Sequence, residues 1–272
     1  MIRETASLQD AAIAALRECD PIAKCSLTRD MAERWRRRRL SLSAQRAAMV
    51  PERPGRPDKP ALVPPNRVPR RSLSSARGKA ALLHSIAHIE LNAVDLALDI
   101  IARFAIVRMP RSFHDDWVQV ADEEAKHFAL VTSRLGDFGS TYGDFPAHDG
   151  LWETAQRTGH DLRARLAVVP LVLEARGLDV TPSLLRQMEA MGDEETTRVF
   201  RVIYEDEKGH VAVGAKWFRF LCHREGLEPD GEFRRLVREH FRGPLKPPFN
   251  ELARARSGVT PGFYRSLSSA GT

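Results

Sequence analysis

The chain has 272 residues, of which 43% are hydrophobic and 29% are charged, a composition typical of a folded soluble protein. No apolar run approaches the roughly 20 residues that a transmembrane helix needs. The N-terminal stretch MIRETASLQDAAIAAL contains acids and no long apolar segment, so we do not expect a signal peptide. The three cysteines match no zinc spacing, and we interpret them as reduced thiols of a cytoplasmic protein: Cys19, Cys25 and Cys222.

The net charge of +6 is distributed unevenly along the chain. Residues 1–78 contain 17 Lys or Arg and 8 Asp or Glu, whereas the remaining 194 residues contain 25 and 28. The basic residues peak in RWRRRRL, Arg34–Leu40. Arg34 and Arg36–Arg39 could meet phosphate, but a solvated helix end is the commoner explanation, and no nucleic-acid-binding motif accompanies the run. We therefore expect no nucleic-acid contact.

The N-terminal region favours helix. Residues 7–47 are rich in Ala, Leu and Arg, and Pro21 marks a break within them. Because proline interrupts a helix interior, we expect helix on both sides of this position. The sequence therefore predicts a basic helical arm over residues 1–50.

A proline-rich segment follows the arm. Seven prolines lie between Pro51 and Pro69, a density that excludes regular helix and sheet and favours extended chain. The segment 51–74 is either a flexible linker or a strap packed along the domain. Leu62, Val63 and Val68 would supply apolar anchors for a strap.

The rest of the chain predicts four long helices and one shorter helix, and no stretch alternates as a strand does. The predicted bounds of the long helices are about 76–108, 112–136, 151–176 and 193–224. Met109-Pro110 ends the first helix, because the residue before a proline disfavours helix, and Ser112 is the expected N-cap of the second. The shorter helix is expected at 229–242, and a polar tail follows it.

The third long helix carries the strongest breaking signals. It is expected to end at Gly177, with a new start where Thr181 caps and Pro182 takes the first helical position; residues 182–190 could also continue or kink it. Pro170 lacks a backbone N–H and should kink the helix. The kink would either widen a pocket or only fit the connection to the preceding helices.

Each of the four long helices places one glutamate on an apolar face. The four are Glu90, Glu124, Glu174 and Glu207. Two of them have a histidine on the same face three residues later, in Glu124-x-x-His127 and Glu207-x-x-His210. A buried carboxylate without a partner is costly, so this pattern needs a chemical reason.

The spacing of these glutamates repeats. Glu90 and Glu124 are 34 residues apart, and Glu174 and Glu207 are 33 apart. Turn signals lie near both midpoints, at Met109-Pro110 and Met191-Gly192. We interpret the pattern as two helical hairpins with equivalent functional positions, joined by a long crossover as in ferritin-like bundles.

Four carboxylates and two imidazoles on facing helices form the ligand set of a di-iron or di-manganese site. Carboxylates neutralise and bridge hard cations, and each histidine offers a neutral nitrogen. The alternative is a bundle that keeps these residues as buried polar pairs. The predicted fold is all-α: a ferritin-like four-helix bundle over 75–226, with a C-terminal helix and polar tail over 227–272.

Several stretches resemble a known family. ALLHSIAHIELNAVDLALD, FHDDWVQVADEEAKHFAL, YGDFPAHDGLW, VPLVLEARGLDVTP and DEKGHVAVGAKWF are similar to the uncharacterised ferritin-like family known as domain of unknown function 455. CDPIAKCSLT and the proline-rich segment share the resemblance. It implies a ferritin-like fold and a dinuclear metal centre at the six residues above, and it implies no substrate.

The wider di-iron superfamily suggests residues that support the ligands. In many oxygen-activating members an acid precedes the ligand glutamate and hydrogen-bonds a ligand histidine; Glu123 and Asp206 occupy those positions. They could equally be ordinary polar residues at the edge of the face. Lys126 and Gly209 replace an arginine that such members often carry, and Leu178 replaces a threonine of some hydroxylases, so a hydroxylase mechanism does not transfer directly.

Tyr204 lies one turn before Glu207 on the same predicted face. It could donate a hydrogen bond or act as a redox residue, and packing in the core is the commoner role for such a tyrosine. Trp117 stands in a similar relation to Glu124, and core packing is again expected. His84 and His88 flank Glu90 without sharing its face, so we assign them to hydrogen bonding or the surface.

The expected function is oxidation or hydroxylation by a di-metal oxidoreductase. Two iron ions are the expected cofactors, with manganese or a mixed pair also compatible, and O2, an unidentified small molecule and an electron donor are the expected partners. One alternative is a ferroxidase without an organic substrate. Another is a non-catalytic metal-binding module whose basic arm contacts RNA or a protein. A homodimer is compatible with the sequence.

Overall fold

The computed structural model describes residues 6–42, 49–68 and 73–268 and divides the chain into unit 1 (Met1–Trp152) and unit 2 (Glu153–Thr272). The described residues form helices and isolated β-bridges, and no strand forms among them. This confirms the predicted all-α class. None of the described helices is long and apolar enough to cross a membrane.

The described residues of unit 1 include four α-helices that pack in pairs, besides a short 3-10 helix at Pro65–Arg67. They are α1 (Leu8–Arg17), α2 (Pro21–Arg36), α3 (Ala76–Arg103) and α4 (Arg111–Gly136). The helices α3 and α4 form a hairpin, α1 packs on α3 and α2 packs on α4. The helices of the predicted arm are therefore packed elements of unit 1.

Helix α2 is shorter than predicted. It ends at Arg36 rather than near residue 47, and Arg38 has a φ of 58°, in the left-handed region that stops an α-helix. Residues 43–48 lie outside the described part of the chain. Pro21 occupies the first turn of α2, where no N–H is needed, and the Asp20 side chain caps the helix.

The predicted α3–α4 turn was too short. Helix α3 ends at Arg103, five residues before the predicted end, and α4 begins at Arg111. Ser112 lies inside α4, so its predicted N-cap role is wrong. Pro110 takes that position instead, without a side-chain cap, because its φ is already fixed near the helical value.

Residues 51–68 form a packed strap, and the flexible-linker interpretation is wrong for them. The Gly55 N–H donates to the carbonyl of Leu16 at 2.8 Å, and the Val63 N–H donates to the carbonyl of Ala147 at 2.8 Å. Of the predicted apolar anchors, Leu62 is 43% exposed, whereas Val63 and Val68 are half-buried. These backbone hydrogen bonds therefore hold the strap where Leu62 does not.

Buried charged side chains also hold the strap against α2 and α3. Lys24 of α2 forms an ion pair with Asp95 of α3 and donates to the Gly55 carbonyl at 2.8 Å. Arg56 donates to Oδ1 of Asn92 at 2.7 Å. Burial raises the pKa of Asp95 to about 6, although Lys24 acts in the opposite direction. The strap therefore joins α2 and α3.

Unit 2 is built on two long helical stretches. Its elements in chain order are α5 (Gly150–Gln156, which starts in unit 1), α6 (Leu162–Val168), a π-helix (Val169–Glu174), α7 (Ala175–Ala190), α8 (Glu194–Arg224), α9 (Pro229–His240), α10 (Glu251–Arg256) and α11 (Pro261–Tyr264). Helix α8 has nearly its predicted bounds, because Asp193 caps it and Gly226, with a φ of 69°, follows its end.

The third predicted helix, 151–176, begins as predicted with α5, but it is interrupted before α6 and does not end near Gly177. The chain breaks after α5, where buried Arg165 donates to the Ala155 carbonyl at 2.8 Å and to Oγ1 of Thr158 at 2.9 Å. It then stays helical through Gly177 and Pro182 to Ala190. Thr181 is therefore not a cap.

A side chain from the C-terminal region explains why Pro182 is tolerated inside α7. Proline lacks the N–H that would bond to the carbonyl four residues earlier, which belongs to Leu178. The side-chain Nδ2 of Asn250 donates to that carbonyl at 3.2 Å. A long-range hydrogen bond therefore replaces the missing helical one.

The C-terminal tail is not simply polar. Residues 251–264 include α10 and α11, and Phe263 and Tyr264 are fully buried. The Phe263 ring lies 5.0 Å from that of Phe233 and 6.1 Å from that of Phe218. This aromatic cluster joins α11 to α9 and α8, and the predicted polar tail was wrong for this segment.

Helix α8 passes unusually close to the π-helix at Gly214. A Cβ added at Gly214 would lie 2.5 Å from Cβ of Pro170. The proline ring on the π-helix therefore occupies the space that a side chain at position 214 of α8 would need. Pro170 widens the helix as a π-turn instead of the predicted simple kink.

We predict that Gly214→Ala destabilises the protein and that Gly209→Ala does not. The alanine at 214 would meet the rigid Pro170 ring, at a cost of about 1–3 kcal/mol. Gly209 lies in the same helix with no heavy atom within 4 Å of an added Cβ, so alanine should stabilise by about 0.5–1 kcal/mol. Thermal unfolding followed by circular dichroism measures both; equal stability of the two variants would contradict the close packing.

Candidate metal centre

Unit 1 brings three of the predicted ligands together. Glu90 projects from α3, and Glu124 and His127 project from α4. Nδ1 of His127 lies 3.2 Å from Oε2 of Glu124 and 3.4 Å from Oε2 of Glu90. Ligand atoms of all three residues lie within 4.8 Å of one another. The predicted inward face of the α3–α4 hairpin is therefore confirmed.

These side chains are almost completely removed from solvent. Glu124 and His127 are 0% exposed and Glu90 is 3% exposed. The residues around them on α3 and α4 are apolar and buried: Val94, Trp117, Ala121, Phe128 and Val131. Burial in such surroundings disfavours charge unless a counter-charge is present.

The proton affinities reflect this burial. Burial raises the pKa of Glu90 to about 7; nearby His127 opposes the rise and Glu124 adds to it. Burial alone would lower the pKa of His127, but its interactions with Glu124 and Glu90 outweigh that effect and raise it to about 11. Without a metal ion, protons supply part of the positive charge that this group needs.

The group has the features that a cation site requires. Oε2 of Glu90 is buried and accepts no hydrogen bond from the residues that the structure describes. Two carboxylates face a single imidazole, so ionised carboxylates leave an excess of negative charge. A divalent cation would compensate it, and carboxylate oxygen with imidazole nitrogen is a donor set that suits iron or manganese.

Unit 2 holds a second group of the same residue types. Nδ1 of His210 lies 3.9 Å from Oε2 of Glu207 on α8, too far for a hydrogen bond. The His210 side chain is 1% exposed and that of Glu207 is 14% exposed. The Glu-x-x-His pair of α8 is therefore slightly more open than its counterpart on α4.

Glu174 lies level with this pair within unit 2. The contact between Pro170 and Gly214 fixes how the π-helix sits against α8, and the two run antiparallel. Glu174 lies one helical turn after Pro170 in the sequence, and His210 lies one turn before Gly214. Glu174, half-buried at the end of the π-helix, is thus placed at the height of His210.

The two acids expected to support the ligand histidines lie at half-buried positions. Glu123 is half-buried, and its Oε1 accepts a hydrogen bond from Nε2 of Gln119 at 2.6 Å on its own helix. Asp206 is half-buried beside Glu207. Their contact with a ligand histidine stays a prediction.

Tyr204 is not a packed core residue, and that interpretation was wrong. It is half-buried, its hydroxyl accepts a hydrogen bond from Nδ2 of Asn250 at 3.0 Å, and the Lys208 ammonium lies 4.3 Å from its ring centre. Asn250 therefore links Tyr204 to the Leu178 carbonyl. Trp117 is 1% exposed, which confirms its predicted core packing.

Sequence reasoning missed residues that shape the surroundings of the ligands. Gly214 could have been noticed as a glycine on the apolar face of a long helix, but nothing in the local sequence identifies Asn250.

The two histidines that flank Glu90 form hydrogen bonds. His88 is buried and bonds the Tyr142 hydroxyl through Nδ1 at 2.8 Å, and Nε2 of His84 accepts from the Gly143 N–H at 2.9 Å. The predicted hydrogen-bonding role of both histidines is confirmed.

Comparison with known proteins identifies the family. The family described as "Protein of unknown function (DUF455)" matches residues 17–265. The chain is also similar to an uncharacterised protein of Haemophilus influenzae, with 43% identity over 209 residues that cover 75% of this chain and 73% of the relative. No solved structure matches. The chain belongs to the DUF455 family, and its ferritin-like assignment stays a prediction.

We predict that Glu90→Gln stabilises the metal-free protein at alkaline pH. The pKa of Glu90 rises from 4.5 to about 7 on folding, so the wild-type protein loses stability as the pH rises from 4.5 through 7, when the buried carboxyl ionises. Glutamine avoids this cost. The variant should gain on the order of 1–3 kcal/mol at pH near 8 and nothing below pH about 4.5.

Denaturant unfolding of chelator-treated protein across this pH range measures the difference. Glu33→Gln is the control, because the Glu33 side chain is 57% exposed and its change should have no pH-dependent effect of this size. A Glu90→Gln protein that is less stable than wild type at alkaline pH would contradict the charge excess.

Proposed function

We propose that this member of the DUF455 family binds two metal ions through Glu90, Glu124, His127, Glu174, Glu207 and His210, and uses them to oxidise an organic substrate with O2. The buried group of Glu90, Glu124 and His127 carries the proposal, because its donor atoms lie within 4.8 Å of one another. The second Glu-x-x-His pair and the level of Glu174 within unit 2 support it. A ferritin-like arrangement of the helices is part of the same proposal.

Charge balance favours two ions over one. Four carboxylates carry a charge of about −4 when ionised, and two divalent cations supply about +4 with both histidines neutral. A single divalent ion would leave a net charge of about −2 on a ligand set in which Glu90 and Glu124 are buried, and a buried net charge is unfavourable. The donor set therefore suits a pair of ions.

The oxygen and nitrogen donors suit iron or manganese. Such a pair, when bound, supplies the ability to bind O2 and to exchange electrons with it. We propose iron as the resident metal. Manganese shares this donor preference, so the cell's supply decides between the two. A manganese or mixed pair would use the same residues.

The chain's own residues prepare the site for such chemistry. The apolar side chains of Val94, Phe128 and Val131 keep water away from the carboxylates, and exclusion of water protects reactive species from side reactions. His127 is held between two carboxylates, which fixes the orientation of its ring. Protons and metal ions compete for the same atoms of this group.

We predict that anaerobically loaded protein binds about two ferrous ions per chain. If the six residues form one centre, Glu124→Ala and His210→Ala should each lose more than one of the two ions, although the substitutions lie in different units. The matched control Asp122→Asn, two residues before Glu124 on α4, should retain both. Metal analysis after gel filtration gives the stoichiometry, and circular dichroism confirms that each variant is folded.

Two outcomes would contradict this prediction. Protein that retains no iron after ferrous loading would remove the metal centre altogether. Loss of one ion in each variant, with the other retained, would mean two separate mononuclear sites and would contradict a shared centre.

We predict that ferrous-loaded protein consumes O2 faster than an equal concentration of free ferrous iron, and that Glu124→Ala abolishes the difference. With an electron donor and a suitable substrate, consumption should continue over many turnovers. An oxygen electrode measures both phases. Consumption that stops after the bound iron is oxidised, whatever donor is supplied, would indicate a ferroxidase, and uptake of many ions per chain would indicate iron storage.

A further inference from the structure

An open groove in unit 2 gathers three arginine side chains. It has a volume of about 570 Å³ and lies where α11 packs against α9. Its lining consists of Arg234, Arg238, Pro261, Gly262, Arg265 and Ser266. None of these six residues is acidic.

Two separate features of the fold bring the three arginines to the groove. Arg234 and Arg238 are four residues apart on α9 and share one face of that helix. Arg265 directly follows α11, which the ring of Phe263 fixes against Phe233 on α9. Residues about 30 positions apart in the chain therefore meet around one groove.

Backbone contacts hold the edge of the groove in place. Nη1 of Arg234 donates to the Gly262 carbonyl at 2.6 Å. The Asp230 carboxylate also packs closely against Gly262, and a Cβ added at Gly262 would clash with it. The segment after Thr260 is thus fixed relative to α9.

The positive charge in the groove is only partly compensated. Arg265 pairs with Glu251 at 2.8 Å, and the Arg234 guanidinium interacts electrostatically with the Glu228 carboxylate. The Arg238 side chain makes no hydrogen bond or ion pair with the residues that the structure describes. The acids Glu232 and Glu239 of α9 both pair with Arg235 instead, each at 2.8 Å. Like charges four residues apart destabilise a helix, so the exposed arginine face has a cost.

This arrangement differs from the basic run near the N-terminus. There three of the five arginines pair with acids, Arg34 with Asp30, Arg36 with Asp122 and Arg37 with Glu33. The other two, Arg38 and Arg39, follow the end of α2 and are exposed. In contrast, residues 229–268 contain eight Lys or Arg and four Asp or Glu. The stronger candidate for anion binding is therefore the groove in unit 2.

We propose that this groove binds the terminal phosphate group of a phosphorylated small molecule. A terminal phosphate presents three acceptor oxygens and a charge near −2, and three guanidinium groups around one groove can each donate paired hydrogen bonds to them. The Ser266 hydroxyl offers a further donor. A phosphodiester has only two free oxygens and one charge, and it matches three arginines less well.

Equilibrium dialysis of metal-free protein against adenosine monophosphate and against adenosine tests the proposal. The monophosphate should bind, adenosine should not, and inorganic phosphate should compete. Arg238→Ser should weaken binding about 10-fold or more, since a hydrogen bond to a charged group is lost. Arg238→Lys keeps the charge but loses the paired donors and should bind with intermediate affinity.

The control is Arg186→Ser, which removes an exposed arginine from α7 of the same unit and should leave binding unchanged. Arg265→Ser provides a second test if Arg238→Ser does not fold. Unchanged binding in both groove variants, or no binding of the monophosphate at millimolar concentration, would overturn the proposal. Tighter Arg238-dependent binding of an oligonucleotide without a terminal phosphate would also overturn it, in favour of a nucleic-acid backbone.

Discussion

The proposed metal centre depends on one physical constraint, the burial of two carboxylates beside one imidazole between α3 and α4. Glu90 and Glu124 are removed from water, and His127 opposes the rise in the pKa of Glu90 that burial causes. A hydrophobic hairpin would be more stable with apolar residues at these positions. The chain accepts this cost, and a bound cation is the simplest physical compensation.

In both units, residues that would destabilise a helix or a core on their own have specific partners elsewhere in the chain. In unit 2, Pro170 opens the π-helix against Gly214, and Asn250 donates to the carbonyl that Pro182 leaves without its helical partner. π-Helical turns occur frequently at functional sites, and this one ends at Glu174. In unit 1, the strap and the Lys24–Asp95 pair hold α2 against α3. Local irregularity is thus compensated by specific long-range contacts.

The residues of the candidate site could be found from sequence because helical periodicity alone shows an acid on an apolar face. Glu90, Glu124 and His127 were located in this way, and their approach in unit 1 follows from the hairpin. Local sequence left open whether the helix continues through Pro182, because the compensating donor, Asn250, lies 72 residues beyond Leu178, whose carbonyl it bonds. It also could not show that Phe263 lies in a core cluster, since a short helix in a polar segment gives no periodic signal.

We propose that Glu90, Glu124, His127, Glu174, Glu207 and His210 hold one pair of ions. Electron paramagnetic resonance of iron-loaded, air-oxidised protein tests it most directly, because two ferric ions that share carboxylate ligands couple magnetically and two isolated ions do not. We expect about two ferric ions per chain by metal analysis, with almost no signal from isolated high-spin ferric iron. A full-intensity signal from isolated ferric ions at the same iron content would contradict it.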